Sequence, residues 1–167
     1  MQNSTEIYII DANVIFDADI GGILHELFSL DLPIITNDFV IGEIESIPIS
    51  RLEEMGLDIR DMPGEYIEEM FQMRANHLDL SIIDISIIVL ARHTNAIILS
   101  GDGPLRKEAK RYKLQLHGTL WVLDVLVEHH ILSPKDAAGA LRAMCDNERR
   151  LPMDECNKRI QEWESKD

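Results

Sequence analysis

Four acidic residues stand where their segments would present them for shared chemistry: Asp11 in IYIIDANVIFD, Glu43 in TNDFVIGEIE, Asp84 in LSIIDISIIVLA and Asp102 in IILSGDGPLRKEAK. Two follow apolar strand-like runs and two lie on helix-like stretches. Bare carboxylates brought within a few ångströms repel, so a convergent set must take up protons or bind a cation. Hard oxygen donors favour Mg²⁺ or Mn²⁺, and Mg²⁺ keeps several waters and pairs readily with phosphate substrates.

Each acid also has a local explanation. Asp11 ends an apolar strand, the position beyond which open α/β sheets bind ligands, and is equally placed to cap a following helix or turn. Asn13 is placed to orient Asp11 or a bound water, or to serve a local turn. Ser81-x-x-Asp84 has the form of a capping box with Asp in place of Glu, yet Ile85, Ile88, Val89 and Ala91 make this a deeply packed helix on which an unpaired acid is costly. Asp102, in Ser100-Gly101-Asp102-Gly103-Pro104, suits any turn, and its flanking glycines also permit close backbone approach by a substrate. Glu43 competes with Glu45. It lies three residues after Val40 and four before Ile47, nearer the apolar stripe than Glu45.

The net charge of −14 runs against phosphate binding. Its distribution is uneven: residues 1–50 hold nine acids and no Lys or Arg, while Arg106, Lys107, Lys110, Arg111 and Lys113 fall within eight residues. A helix from Pro104 would put Arg106 and Lys110 on one face and Lys107 and Arg111 on the next, a candidate surface for a phosphate backbone or simply a solvated face. The six histidines show no ligand spacing, and the two cysteines, Cys145 and Cys156, in helix-like polar surroundings, fit neither a disulfide framework nor a zinc site and suit a reducing cytoplasm. No apolar stretch approaches the roughly 20 residues of a membrane span. The uncharged-to-acidic MQNSTE leads straight into a strand and does not read as a secretory signal.

The elements that must position these residues alternate. EIYIID, LPIIT, AIILS and LQLH read as strands. Helical spacing appears in IGGILHELFSL, in a segment opened by Asn37 or Asp38 and carrying Val40, Ile41, Ile44 and Ile47, and from Pro63 through Tyr66, Met70 and Met73. Further helices follow: one capped by Ser81, the basic one, GTLWVLDVLVEHH, one from Ser133-Pro134 to about Met144, and one after Leu151-Pro152 with Ile160 and Trp163. SRLEEMG and LDIRDMP fit no pattern. With 167 residues and 46% hydrophobic content, the expectation is a three-layer α/β/α fold with a mainly parallel central sheet over residues 1–132, and a helical C-terminal extension, 133–167, packed on it.

In series the motifs resemble the PIN domain family, metal-dependent ribonucleases that include the toxins of many prokaryotic toxin–antitoxin pairs. The resemblance covers most of residues 7–132. The family's D-x-N or D-x-S is matched by Asp11-Ala12-Asn13, its helix glutamate by Glu43 in VIGE, its leucine-serine-x-x-aspartate by Leu80 to Asp84, and its T/S-x-D by Ser100-Gly101-Asp102. Many members carry a further acid three residues after this last aspartate; here that position is Leu105, which leaves open whether one or two ions bind.

The resemblance implies RNA phosphodiester hydrolysis with Mg²⁺ or Mn²⁺. Asp11, Asp84 and Asp102 would hold the ion, Glu43 would complete the site, Asn13 and Ser100 would support it, and Arg106, Lys107 and Lys110 would contact RNA. An antitoxin covering the cleft and a homodimer through the terminal helices are the implied partners. The rival is a PIN-like module that binds protein or RNA without cutting, which suits the acidity. A haloacid-dehalogenase-type phosphatase would need an acid where Asn13 stands.

Overall fold

A computed structural model describes residues 5–166. The reading of MQNSTE as a lead-in to the first strand falls in part on residues 1–4 and, like the final Asp167, lies outside them. Five strands, β1 (Tyr8–Ile10), β2 (Ile34–Asn37), β3 (Asp58–Arg60), β4 (Ile97–Leu99) and β5 (Leu116–His117), form one sheet in the order β3-β2-β1-β4-β5. Every neighbouring pair is parallel, with Tyr8 opposite both Ile34 and Ile97. Every residue of β1, β2 and β4 is buried, as strands covered on both faces must be. The sheet is therefore wholly parallel where the sequence predicted a mainly parallel one.

Ten helices complete the three layers: α1 (Ala12–Ile20), α2 (Leu24–Ser29), α3 (Asp38–Ile41), α4 (Ile49–Glu54), α5 (Gly64–Asn76), α6 (Ile82–Thr94), α7 (Gly103–Arg111), α8 (Thr119–Glu128), α9 (Pro134–Asp146) and α10 (Met153–Glu164), counted among the described residues. Helix α6 packs on β2 and β4 and touches α3, α5 and α7. Its residues Ile85 to Ala91 are all buried, and each large aliphatic side chain among them contributes about 1.5–3 kcal/mol. Helices α1, α2 and α8 pack on one another, α9 packs on α1 and α8, and α10 packs on α9.

Three local readings change. The helix expected across IGGILHELFSL is interrupted: α1 runs to Ile20, Gly22 turns the chain with φ +70°, and α2 starts at Leu24. A Cβ at Gly21 would lie 2.7 Å from Met144 Cε and 3.3 Å from the Ala140 carbonyl oxygen, so a glycine here lets α9 close on α1. The helix expected to carry Ile44 and Ile47 ends at Ile41. Glu43 and Ile44 donate to carbonyls three residues back, at 3.0 Å each, so Glu43 stands on a tight turn rather than a helix. The unplaced segments are α4 and β3; β3 is an edge strand with Asp58 exposed, which leaves no apolar run to read.

Cys156 is fully buried on α10, not in polar surroundings. Of the exposed large apolar residues Ile49, Phe71, Leu78 and Met153, only Met153 belongs to the terminal helices. Among the described residues no helix is long and apolar enough to cross a membrane.

The end of β2 is tied to α6 by a buried link. Asn37 Oδ1 accepts from Val40 N at 3.0 Å, capping α3, and its Nδ2 donates to Ser86 Oγ at 3.1 Å. Replacing Asn37 with Ala is expected to lower stability by about 1–2 kcal/mol, the worth of a cap plus a buried hydrogen bond. An unchanged urea midpoint would show that the link carries no stability.

Candidate functional site

The chain winds from β1 to one side of the sheet and from β4 to the other, so strand order reverses between β1 and β4. Parallel strands leave a crevice beyond their carboxyl ends at such a point. Asp11 directly follows β1, and Ser100-Gly101-Asp102 directly follows β4. The Asp11 amide donates to the Leu99 carbonyl at 2.9 Å, which continues the ladder one step past the strands.

Asp11 occupies the N-cap position of α1, yet its side chain makes no capping bond. It is 4% exposed, and Oδ2 accepts from Ser100 Oγ at 2.7 Å. Burial pushes its carboxyl up from 3.8 to about 6, against the pull of the Ser100 hydroxyl, with Asp84 and Glu43 adding to the rise. Ser100 is itself fully buried, and Oγ also accepts from the Asp102 amide at 3.1 Å. One hydroxyl thus sets the separation of the two strand-end loops.

Asp84 is both a helix cap and a neighbour of the other acids. Its amide donates to Ser81 Oγ at 3.0 Å and its Oδ2 accepts from Ser81 N at 3.3 Å, a complete capping box. Burial raises its carboxyl, Asp102 raises it further, and the Ser81 bonds oppose the rise. Glu43, exposed on its turn, is raised by burial and then by Asp84. The carboxylates that bear on Asp11 are Asp84 and Glu43, not Glu45. Asp102 caps α7, with Oδ2 accepting from Leu105 N at 2.9 Å. Leu105, where a fifth acid would stand, is fully buried in the core, so its side chain serves packing.

The donor chemistry fits a hard divalent cation. In Asp11, Asp84 and Asp102 alike, Oδ2 is the oxygen held by these bonds, which leave Oδ1 uncommitted. Among the described residues no three acidic, imidazole or thiol groups are gathered tightly enough to chelate an ion as they stand. Burial first and neighbouring carboxylates second raise the Asp11, Glu43 and Asp84 carboxyls, and a positive charge would oppose both effects.

The basic residues divide. Arg106 lines a cleft with Gly101 and His117, whereas Lys107 and Lys110 line a different one with His77, Asp79 and Glu108. Arg106 and Lys110 are one helical step of four apart on α7 and line different clefts, Lys110 the one that also holds Asp79 and Glu108. Asn13 is exposed; it lines a cleft of about 420 Å³ with Asp17, Asp102, Arg149 and Arg150, and its backbone carbonyl accepts from Arg149 at 3.4 Å.

Arg149 and Arg150 escape a sequence reading, since they belong to the loop between α9 and α10, more than forty positions from Asp102. Glu148, in the left-handed region at φ 59°, turns this loop, and the Arg149 amide reaches back to Met144 O at 3.1 Å. Arg149 Nε then bonds Asp17 Oδ1, while Asp17 Oδ2 accepts from Thr119 Oγ1 at 2.6 Å. The RR pair in ERRLP was the available signal.

Comparison with known proteins agrees with this fold. Residues 7–165 match a family model, DUF3368, described as a PIN domain. Among solved structures the chain is similar to a PilT N-terminus domain protein, SSO1118, from the hyperthermophilic archaeon Sulfolobus solfataricus P2, at 16% identity and a TM-score of 0.52, over 74% of this chain and 96% of that one. It is also similar to PAE2754 from Pyrobaculum aerophilum, at 14% identity and a TM-score of 0.54, over 74% and 91% of the two chains. No curated protein matched in sequence.

The raised Asp11 carboxyl fixes the sign of a pH effect. Between 3.8 and about 6 the folded chain holds a proton that the unfolded chain has released, so stability falls as pH rises through that window. For Asp11 alone the loss is about 3 kcal/mol, with Glu43 and Asp84 acting in the same direction. In chelator, Asp11→Asn should therefore gain on the wild type from pH 4 to pH 7 by urea denaturation. A constant difference across that range would refute the protonated Asp11.

Proposed function

The chain belongs to the PIN domain family, and we propose that it is a metal-dependent ribonuclease that hydrolyses RNA phosphodiester bonds at the Asp11, Glu43, Asp84 and Asp102 cluster. One observation supports the reading: beyond β1 and β4, burial and then neighbouring acids raise three carboxyls, with Asp84 and Glu43 acting on Asp11, Asp84 on Glu43, and Asp102 on Asp84. Helix capping accounts for Asp84 and Asp102 but not for buried Asp11, whose side chain caps nothing, and the sheet offers a ligand site at that point.

Asp11, Asp84 and Asp102 are the residues that would hold Mg²⁺ or Mn²⁺ through their uncommitted oxygens. A bound ion acidifies water and offsets the charge that grows on the phosphate. The protein's own part is positional. Ser100 fixes Asp11 relative to the Asp102 loop, the Ser81 box fixes the turn bearing Asp84, and the Asn37 link holds the β2 end from which Glu43 projects. Glu43, the most exposed of the four, is placed to accept a proton from the attacking water. Arg106 is proposed to contact RNA beside the cluster; Lys107 and Lys110, in their own cleft, would act only on a longer strand.

The same acidity suggests how the activity is restrained. A chain of net charge −14 draws RNA weakly on its own, and its acidic crevice suits an arginine-bearing antitoxin segment, as in a cytoplasmic toxin–antitoxin pair. The non-cutting module remains the alternative, favoured by that charge and opposed by the intact acid set.

Asp11→Asn should lower Mg²⁺- or Mn²⁺-dependent cleavage of a mixed RNA pool by at least about a hundredfold while leaving the protein folded. Retained cleavage in a folded variant, or wild-type cleavage that persists in chelator, would overturn the assignment.

A further inference from the structure

We propose that the cleft between β5–α8 and the α9–α10 loop is a nucleotide subsite continuing the carboxylate crevice, with Arg106 and Arg150 on phosphate and the His117–Trp121 pair against the base. The subsite presupposes the ribonuclease reading for its role, though its binding can be measured apart from it.

The cleft adjoins the one that holds Asn13, Asp17 and Asp102: Gly101 and Arg150 line both, and Asp102 is the member of the four-acid set that borders the junction. Apart from its chain neighbours, no residue lies within 4 Å of where a Gly101 Cβ would sit, so nothing crowds the junction on that side. The subsite cleft, about 290 Å³, lies at the lower bound of small-molecule sites, roughly 300–1,000 Å³, which suits one nucleotide rather than a longer segment.

Its cations are selectively left uncommitted. Arg149 is spent on Asp17, and Arg159 is held by Asp124 at 3.0 and 2.9 Å and by Glu155 at 3.1 Å. Arg106 and Arg150 have no ion-pair partner among the described residues. The Arg106 guanidinium lies over Gly118, with Nη2 3.5 Å from where a Cβ would be. Arg149 acts as the anchor that carries exposed Arg150 to the junction of the clefts.

The remaining wall is aromatic. The His117 and Trp121 rings stack at 4.3 Å with an interplanar angle of 8°, and both are only partly buried. Burial and then Arg106 hold the imidazole below its ordinary value, so at neutral pH it presents an uncharged ring. An uncharged aromatic wall flanked by arginines matches a nucleotide, which offers a flat base and a phosphate; single-stranded nucleic acid is held by this combination.

The test uses the full wild-type chain in chelator, so that neither metal nor turnover contributes. Adenosine 5′-monophosphate is titrated while the indole N–H signals of the two tryptophans are followed by NMR. The Trp121 signal should move and the Trp163 signal stay, inorganic phosphate alone should leave Trp121 in place, and Arg150→Ala or Arg106→Ala should weaken binding about tenfold. An immobile Trp121, an equal response to phosphate, equal displacement by a polyglutamate peptide, or unchanged affinity in both arginine variants would overturn the subsite. Nucleotide binding without Mn²⁺-dependent cleavage would instead refute the ribonuclease reading and leave the subsite standing.

Discussion

The burial of a carboxylate beside other acids at the reversal point of the sheet is the constraint on which this site depends. Asp11 is 4% exposed, sits beside Asp84 and Glu43, and responds by holding its proton to about 6. No hydrophobic gain explains an acid in that position. It persists because the surrounding structure over-determines it: the backbone ladder fixes its amide to Leu99, and a fully buried serine fixes its carboxylate.

The supports of this site are short polar links between segments far apart in sequence. Ser100 joins the ends of β1 and β4, and Asn37 joins the end of β2 to α6. Asp17 joins α1 to Thr119 at the start of α8 and to Arg149 beyond α9. Each is a buried or partly buried hydrogen bond whose loss would leave an unsatisfied partner, so each specifies position more than it adds net stability. The apolar core, centred on β1, β4 and α6, supplies the stability that tolerates them. Through Arg149 the terminal helices become part of this frame, consistent with a family match that runs to residue 165.

Much of this was legible in the sequence where apolar runs and caps are strong. The strands carrying Asp11 and Ser100, the α6 capping box and the start of α7 follow from local chemistry alone. What was not legible has physical reasons. β3 is an edge strand and shows no apolar run, and α3 stops after four residues at Gly42, where its turn tightens. A two-glycine break was hidden inside a periodic apolar stretch, where Gly21 answers to a contact with α9 that no local pattern reports. The split of Arg106 from Lys110, and the arrival of Arg149 and Arg150, depend on tertiary packing that spacing cannot express. Asp11, Asp84 and Asp102 stand at strand ends and helix starts, places that local sequence marks, whereas Glu43 stands on the turn after α3, which local sequence does not mark.

The central claim is that the crevice exchanges protons for a divalent cation. Calorimetric titration of Mn²⁺ into metal-free protein at pH 6, in two buffers of different ionisation enthalpy, measures it directly. The account predicts binding with proton release at pH 6, falling toward none near pH 8, where Asp11 is already ionised. Binding with no proton release at pH 6, or no binding at either pH, would contradict it.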